Sequence, residues 1–377
     1  MTPDETAVEG AARVKGRPKL ERLQVLRAVA ALLVVGFHLS LRGRELLGRS
    51  LAHNTLNFGA AGVDAFFVLS GFIIYSVHRR DIGRPSEGRS YLLKRIIRVV
   101  PIYWIVTLVA LPIYLGGYGV ATKRSASVVA KSFLLIPQNP GVFPVINVGW
   151  TLSYEMFFYG MFLLLIVLPR PFAIGLWALW LIPTTIVTAL IIGHVWRPPV
   201  NLLFTFLLDG RNLEFLLGIA AGWAVTRFTI RRPGMLVLVG SVAFLGFGVW
   251  ITQSRWLIDN FTGHSLVIFG LPAALVVLGT AATDLRTDRR PPEAAVRLGD
   301  ASYVLYLVHF GLITGAFLAF RSLGLADGAA FDPYVVVVAI GACVAAYFTF
   351  RIVERPMLER LRARFLPPRD RSVAAGP

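Results

Sequence analysis

The chain has 377 residues, of which 56% are hydrophobic and 16% charged, and its mean hydropathy is +0.66. Soluble domains contain about 25% charged residues, so this composition excludes an ordinary soluble protein, and the single cysteine, Cys343, excludes an internal disulfide. The formal net charge of +17 would suit nucleic-acid binding, but in a membrane protein basic loops lie next to anionic lipid. We therefore expect a lipid bilayer as partner and no nucleic acid.

Apolar segments long enough to cross a bilayer recur along the chain, since about 20 residues span its core as a helix. Residues 1–22 and 357–377 are predicted to be cytoplasmic tails, the first disordered, around a membrane domain at 23–356. The predicted spans are 23–41, 57–77, 99–117, 147–168, 172–193, 201–225, 234–252, 264–282, 300–320 and 334–353. The fold class predicted is thus all-α, a polytopic membrane protein with about ten transmembrane helices.

The basic residues indicate the orientation of these helices. With the N-terminus inside, 27 of the 38 lysines and arginines fall in inside segments and 9 in outside loops. Positive residues favour the cytoplasmic side. The bias therefore predicts that both termini are cytoplasmic and that the protein lies in the cell (inner) membrane.

Helix 1 carries two ionisable residues, Arg27 and His38, which are eleven positions apart. At about 100° and 1.5 Å per residue they share one face and stand about 16 Å apart along the axis. Arg27 lies toward the inside and His38 toward the outside. The alternative is that Arg27 snorkels to the interface and His38 ends the helix; the shared face favours function.

Carboxylates are expected at the depth of His38. Asp64 in helix 2 and Glu155 in helix 4 each lie about two turns below the outer end of their helix. A histidine with a carboxylate is a common general-base pair. We therefore predict that Glu155, or alternatively Asp64, orients His38.

Other polar residues in the spans have alternative interpretations. Ser70 in helix 2 is assigned to the substrate site, although packing would also explain it. Gly59, Gly62 and Gly71 allow close helix approach. In helix 6, Asp209, Arg211 and Glu214 interrupt the apolar run and are interpreted as a structural ion-pair group.

A basic stretch precedes helix 3. Arg95 and Arg98 share a helical face and join Lys94 and Arg89 in one cluster. Arginine suits phosphate because its guanidinium forms two parallel hydrogen bonds. The cluster is therefore either a phosphate clamp or a membrane-surface anchor.

In helix 9, Ser302, Tyr306 and His309 share a face. His309 lies near the middle of the membrane, where it either lines a substrate channel or hydrogen-bonds a neighbouring helix. Tyr306 and His309 are assigned, with Ser70, to the substrate site.

Together these motifs resemble the acyltransferase-3 family of integral membrane O-acyltransferases, over roughly residues 23–356. The resemblance rests on Arg27-x10-His38, GVDAFFVLSGFII at 62–74, RIIRVVPIYW at 95–104, WTLSYEMFFY at 150–159, LGDASYVLYLVH at 298–309 and ERP at 354–356. One departure is Gln24, where the family's first helix often has an acid.

The resemblance implies an enzyme that moves an acyl group, often acetyl, from acyl-CoA to a hydroxyl of a sugar, a glycolipid or a natural product such as a macrolide. It also implies that Arg27 and His38 are essential and that the basic pair after helix 2 is Arg95 and Arg98. Acyl-CoA phosphates are then expected on Arg95 and Arg98, Arg27 is expected to meet the phosphates or the pantetheine stem, and His38 is expected to act as a general base or as an acyl carrier. No tightly bound cofactor and no metal is expected.

A proton-coupled secondary transporter is the alternative, since buried His, Arg and Glu in ten helices would also suit a carrier. No inverted repeat is visible in the sequence, and the polar residues gather toward one side. Both features favour the enzyme.

Overall fold

The computed structural model describes residues 20–49, 51–254, 263–324 and 331–366, and these residues form helices with no β-strand. The predicted tails at 1–22 and 357–377 lie largely outside these ranges. The α-helices are α1 (Glu21–Leu47), α2 (Gly62–His78), α3 (Gly88–Leu115), α4 (Ala126–Phe133), α5 (Trp150–Val167), α6 (Arg170–Ile192), α7 (Arg211–Arg227), α8 (Pro233–Ser254), α9 (Leu271–Asp284), α10 (Glu293–Asp300), α11 (Ser302–Ser322), α12 (Phe331–Thr349) and α13 (Arg355–Phe365).

Nine helices in the described ranges are long and apolar enough to cross a membrane. They match the predicted spans except the sixth, 201–225, which is wrong as a single long helix. There a short π-helix, Leu203–Leu207, is followed by a turn, and α7 begins only at Arg211 and has 17 residues. The break falls at Asp209 and Gly210, where a carboxylate and a glycine interrupt the apolar run.

Helices at the periphery turn large apolar side chains outward, as a bilayer requires. Leu179 of α6 is 72% exposed and Val239 of α8 is 51% exposed. In water such faces would favour aggregation, whereas in lipid they are solvated. The exposed faces therefore support the interpretation as a membrane protein.

Small residues bring the inner helices together, as predicted for helix 2. A Cβ on Gly59 would lie 2.1 Å from the carbonyl oxygen of Leu33, and one on Gly62 would lie 2.4 Å from that of Ala30. Distances this short leave no room for any side chain. These two glycines therefore set the separation between α1 and the chain that enters α2.

Helices α2 and α7 contact each other through glycines on both sides. A Cβ on Gly71 would lie 2.0 Å from the carbonyl oxygen of Phe215, and one on Gly218 would lie 2.0 Å from that of Val68. Backbone packs directly on backbone at this crossing, which is the small-residue packing typical of membrane helices.

The last helix extends the membrane domain. A π-turn, Phe350–Glu354, joins α12 to α13, and α13 continues past the predicted boundary at 356 to Phe365. Leu358 and Leu366 are buried against Ile97 of α3. One face of α13 therefore packs on the membrane domain.

Candidate active site

A cavity of about 590 Å³ opens between six helices, α1, α2, α3, α5, α11 and α13. Its mouth carries basic side chains, which we call the basic mouth: Lys94, Arg95, Arg98 and Arg362. Its lining includes Arg27, Ser70, Glu155 and Tyr306 among the residues predicted from sequence. The walls between them are mostly aromatic and aliphatic, which suits a long, partly apolar ligand with an anionic end.

The inner end of the cavity is formed by Tyr306 of α11 and Thr151 of α5. The two hydroxyl groups are 2.8 Å apart, and Tyr306 also donates to the carbonyl oxygen of Val148 at 3.2 Å. These bonds hold the phenol ring against the start of α5. The ring centroid of Tyr306 is 5.9 Å from that of His309, so this histidine lies behind Tyr306, and neither His309 nor His38 is itself a residue of the cavity lining.

His309 is fully buried, and its Nε2 lies 3.1 Å from Nδ1 of His38. We call these two residues the histidine pair. Of the two roles left open for His309, the structure shows the hydrogen bond to a neighbouring helix. The half-buried His38 ring also packs edge-on against Phe310 at 5.2 Å. Two helices thus hold its position.

The acceptors around the histidine pair determine where the protons lie. Nδ1 of His309 lies 2.9 Å from the carbonyl oxygen of Leu305, which can only accept, so this nitrogen carries the hydrogen and Nε2 is a lone pair. Nδ1 of His38 lies 3.0 Å from the carbonyl oxygen of Val34 and also faces the His309 lone pair. It therefore donates, and Nε2 of His38 keeps its lone pair for chemistry.

Neither predicted carboxylate is a hydrogen-bond partner of His38 within the described ranges. Glu155 instead accepts hydrogen bonds from Ser70, at 3.3 Å, and from Tyr159. The prediction that Glu155 orients His38 is therefore wrong for this structure. It failed because α1 continues to Leu47, which leaves His38 about 13 Å inside the helix end rather than near it.

Asp64 lies in the packed wall between α2 and α7, outside the cavity lining. Only 2% exposed, it contacts Glu214, and Ser265 donates to Oε1 of Glu214 at 3.3 Å. The alternative pairing of Asp64 with His38 is therefore also wrong. Asp64 and Glu214, the carboxylate pair, hold each other, while the predicted ion pair forms between Arg211 and Asp209 at 3.1 Å.

The two arginines of α3 differ in their partners. Arg98 donates to Glu354 at 2.6 Å, and Glu354 is fully buried, so the charge of Arg98 is balanced. Arg95 donates to Nε2 of His78 at 2.8 Å, and its guanidinium lies 5.8 Å from the Tyr159 ring centroid. Arg95 thus has a histidine where Arg98 has a carboxylate.

Arg27 lines the same cavity as Glu155, and the two opposite charges attract each other. Nη1 of Arg27 lies 3.5 Å from the side-chain oxygen of Gln24, a long contact to a neutral group. The backbone of Gln24 packs closely on α10, because a Cβ on Gly299 would lie 2.0 Å from the backbone carbonyl oxygen of Gln24. The positive charge of Arg27 is therefore not neutralised by Gln24 and faces the cavity.

Sequence reasoning missed three residues that shape the basic mouth: His78, Glu354 and Arg362. The spacing of His78 and Asp81, three residues apart at the end of an apolar run, was a usable signal. Glu354 belongs to the ERP motif at 354–356, which was quoted for the family resemblance without a role, and for Arg362 no such signal exists, because it reaches the mouth only through the packing of α13 on α3.

Comparison with known proteins identifies the family. A family model described as an acyltransferase domain, acyltransferase-3, matches residues 20–351. The chain belongs to this family. It is accordingly a multi-pass membrane protein and an O-acyltransferase enzyme, so the transporter alternative is set aside.

Two relatives cover most of the chain. Exopolysaccharide production protein ExoZ of Rhizobium meliloti is 29% identical over 313 residues, which are 81% of this chain and 92% of the relative. Acyltransferase MdmB of Streptomyces mycarofaciens is 28% identical over 403 residues, covering 95% of each chain. No solved structure matches the chain significantly.

Proposed function

We propose that this acyltransferase takes an acyl group, acetyl in the simplest case, from acyl-CoA and transfers it to a hydroxyl of a cell-envelope sugar, a glycolipid or a natural product such as a macrolide. The observation that carries the proposal is the course of the cavity, from a basic mouth to a phenol that touches the histidine pair. The names of the two relatives support this proposal. One is a protein of exopolysaccharide production, which suggests a hydroxylated sugar as acceptor, and the other is an acyltransferase.

The donor fits the cavity by charge and by length. Coenzyme A carries its phosphates at one end and its thioester at the other. Arg95 and Arg362 at the mouth offer guanidinium donors for phosphate, and Arg27 lies deeper, where the pantetheine arm would pass. Arg27 and His38 are eleven residues apart on α1, about 16 Å along the axis, a length that the extended arm covers.

The transfer step uses the lone pair on Nε2 of His38. The acceptor hydroxyl gives its proton to this nitrogen while its oxygen attacks the thioester carbonyl. The carbon–sulfur bond then breaks, and the CoA thiolate takes the proton back from the imidazolium. The same lone pair would serve an acyl-imidazole route, in which His38 carries the acyl group between two such steps.

His309 takes the orienting role that sequence reasoning gave to a carboxylate. Its Nε2 accepts from Nδ1 of His38 at 3.1 Å, which fixes the tautomer in which the outer nitrogen of His38 is basic. A neutral partner stabilises the imidazolium less than a carboxylate does. In this apolar setting it also avoids burying a second charge.

The direction of insertion follows from the donor. Acyl-CoA is a cytoplasmic metabolite, so the basic mouth faces the cytoplasm, both termini are cytoplasmic and the membrane is the inner one. The distribution of lysine and arginine supports this orientation, with 27 residues on that side and 9 on the other. The acceptor then reaches the histidine pair from the outer side or from within the bilayer.

The experiment is acyl transfer by the purified protein in nanodiscs, with radiolabelled acetyl-CoA as donor and envelope glycans or lipids from a deletion strain as acceptor. We expect label in the acceptor fraction and a mass increase of one acetyl group per modified unit. His38→Ala protein is the matched control. Absence of transfer from acetyl-CoA and from longer acyl-CoA donors alike would reject acyl-CoA as donor.

A further inference from the structure

His78 ends α2 at the edge of the cavity and is 1% exposed. Its two ring nitrogens have different partners: Nδ1 lies 2.7 Å from Oδ2 of Asp81, and Nε2 lies 2.8 Å from Nη2 of Arg95. Asp81 is held in place by its own backbone, whose N–H donates to the carbonyl oxygen of His78 at 2.8 Å. The turn after α2 thus places Asp81, His78 and Arg95 in a chain of two hydrogen bonds.

The partners fix the protonation of the His78 ring. A guanidinium has only donors, so Nε2 of His78 must be a lone pair, and a carboxylate accepts, so Nδ1 carries the hydrogen. The ring is therefore neutral. The neutral ring orients Arg95 and leaves the positive charge of Arg95 in place. The His78 ring also lies between the Asp81 carboxylate and the Arg95 guanidinium.

Arg95 is held on its other sides as well. Its guanidinium carbon lies 5.9 Å from the ring centroid of Tyr91 and 5.8 Å from that of Tyr159, which are contacts that favour a fixed plane. Within the described ranges, Nε of Arg95 is buried and has no hydrogen-bond partner. The side chain as a whole lines the cavity beside this buried atom, so its positive charge is available to an anion there.

We propose, on the basis of the proposed function, that His78 is a positioning residue for the donor: through Asp81 it holds Arg95 as an uncompensated cation that binds a phosphate of coenzyme A. The neighbouring arginine makes the contrast on the same helix. Arg98 is balanced by the buried Glu354 at 2.6 Å, whereas the positive charge of Arg95, whose partner is a neutral ring, is left for a ligand.

Two substitutions of His78 separate this role from a structural one. In His78→Gln the amide oxygen can occupy the place of Nε2 and accept from Arg95. In His78→Asn the shorter amide reaches only the place of Nδ1, so the Asp81 contact is kept and the Arg95 contact is lost. Both variants keep a polar amide at the end of α2, and thermal stability is measured for each.

The first measurement is binding of adenosine 3′,5′-bisphosphate, the phosphate-rich part of coenzyme A, by calorimetry in nanodiscs. We expect His78→Asn to weaken binding about tenfold, the usual effect of losing a hydrogen bond to a charged group, and His78→Gln to bind within about twofold of wild type. Failure of wild type to bind the bisphosphate, or equal binding by His78→Asn, would overturn the proposal.

The second measurement compares acetyl-CoA with S-acetylpantetheine, which lacks every phosphate. His78→Asn should raise KM about tenfold for acetyl-CoA at nearly constant kcat, and leave KM for S-acetylpantetheine unchanged. An equal rise for both donors would mean a structural role and would refute the proposal. If no donor is used but the bisphosphate still binds in the predicted order, the proposed acyl transfer fails while the anion site stands.

Discussion

The histidine pair and the carboxylate pair are both buried polar contacts between apolar helices, yet they lie in different surroundings. The histidine pair lies behind Tyr306, a residue of the cavity lining, and leaves the Nε2 lone pair of His38 unused. The carboxylate pair, Asp64 and Glu214, is enclosed in the wall where α2 crosses α7. The unused lone pair, and not burial of an ionisable side chain by itself, therefore distinguishes the pair that we assign to function.

The strongest test of this contrast is removal of the base. His38→Ala should lower acyl transfer by about 10²–10⁴-fold, because a general base contributes about that much, while the half-buried site loses little stability. Acyl transfer by purified protein and thermal unfolding are measured together. A well-folded His38→Ala protein with near wild-type turnover would contradict the mechanism.

His309 sharpens the same test. In His309→Gln an amide oxygen can still accept from His38, so we expect a smaller loss than in His309→Phe, where the acceptor is gone. Equal turnover in the two variants would show that the hydrogen bond between the histidines is unimportant for catalysis.

A smaller effect is expected at the basic mouth, where the contrast recurs on one helix. Arg95→Ala should raise the donor KM about tenfold with little change in stability, since its partner is neutral. Arg98→Ala should mainly lower thermal stability, because it leaves the buried carboxylate of Glu354 without its cation, a loss of about 1–3 kcal/mol. Donor kinetics and unfolding curves on both variants check this, and exchanged effects would refute it.

At the carboxylate pair we expect little effect on catalysis. Two carboxyl groups in contact share a proton, so the amide in Asp64→Asn can replace the protonated partner. We expect kcat/KM within about threefold of wild type, whereas Asp64→Ala should be less stable because Glu214 loses its neighbour. A hundredfold loss of turnover in folded Asp64→Asn would assign the carboxylate pair to the reaction.

The smallest effect is expected outside the membrane spans, at Lys123. Its ammonium donates to the Tyr114 hydroxyl at 3.2 Å, to the Val145 carbonyl at 3.1 Å and to the Asn147 side chain. Burial lowers the pKa of Lys123 from 10.5 to about 8. Between these values the unfolded chain binds more protons than the folded one, so stability rises with pH across this window.

Lys123→Met removes the titrating group and is the reference for this prediction. The thermal stability of wild type relative to Lys123→Met should increase from about pH 8 toward about pH 10. A difference that is flat or falls with pH would show that Lys123 is not destabilised by burial.

How much of this could be predicted from sequence depends on the range of the interactions involved. The spans other than the sixth and the close approach at Gly59, Gly62 and Gly71 followed from local composition and are confirmed. The wrong partner for His38 came from estimating depth by counting residues from predicted helix ends. Helix α1 continues to Leu47, which places His38 about 13 Å from the helix end. Glu155 bonds Ser70, which lies about 9 Å along α2 from Asp64 and not at the same depth.

Other contacts required the tertiary structure. That His309 reaches His38 could be stated only as one of two possibilities, since the sequence does not say which helices are neighbours. The contribution of α13 to the basic mouth was beyond sequence reasoning, because Arg362 follows the predicted membrane domain. The contacts that select one role among several are long-range, and periodicity does not report them.

The reciprocal glycine contact between α2 and α7 limits how this enzyme can move. Gly71 and Gly218 each receive a carbonyl oxygen of the opposite helix at a distance that excludes even a methyl group. The two helices therefore cannot slide freely along each other, and any opening that admits substrate must move them together as one rigid unit.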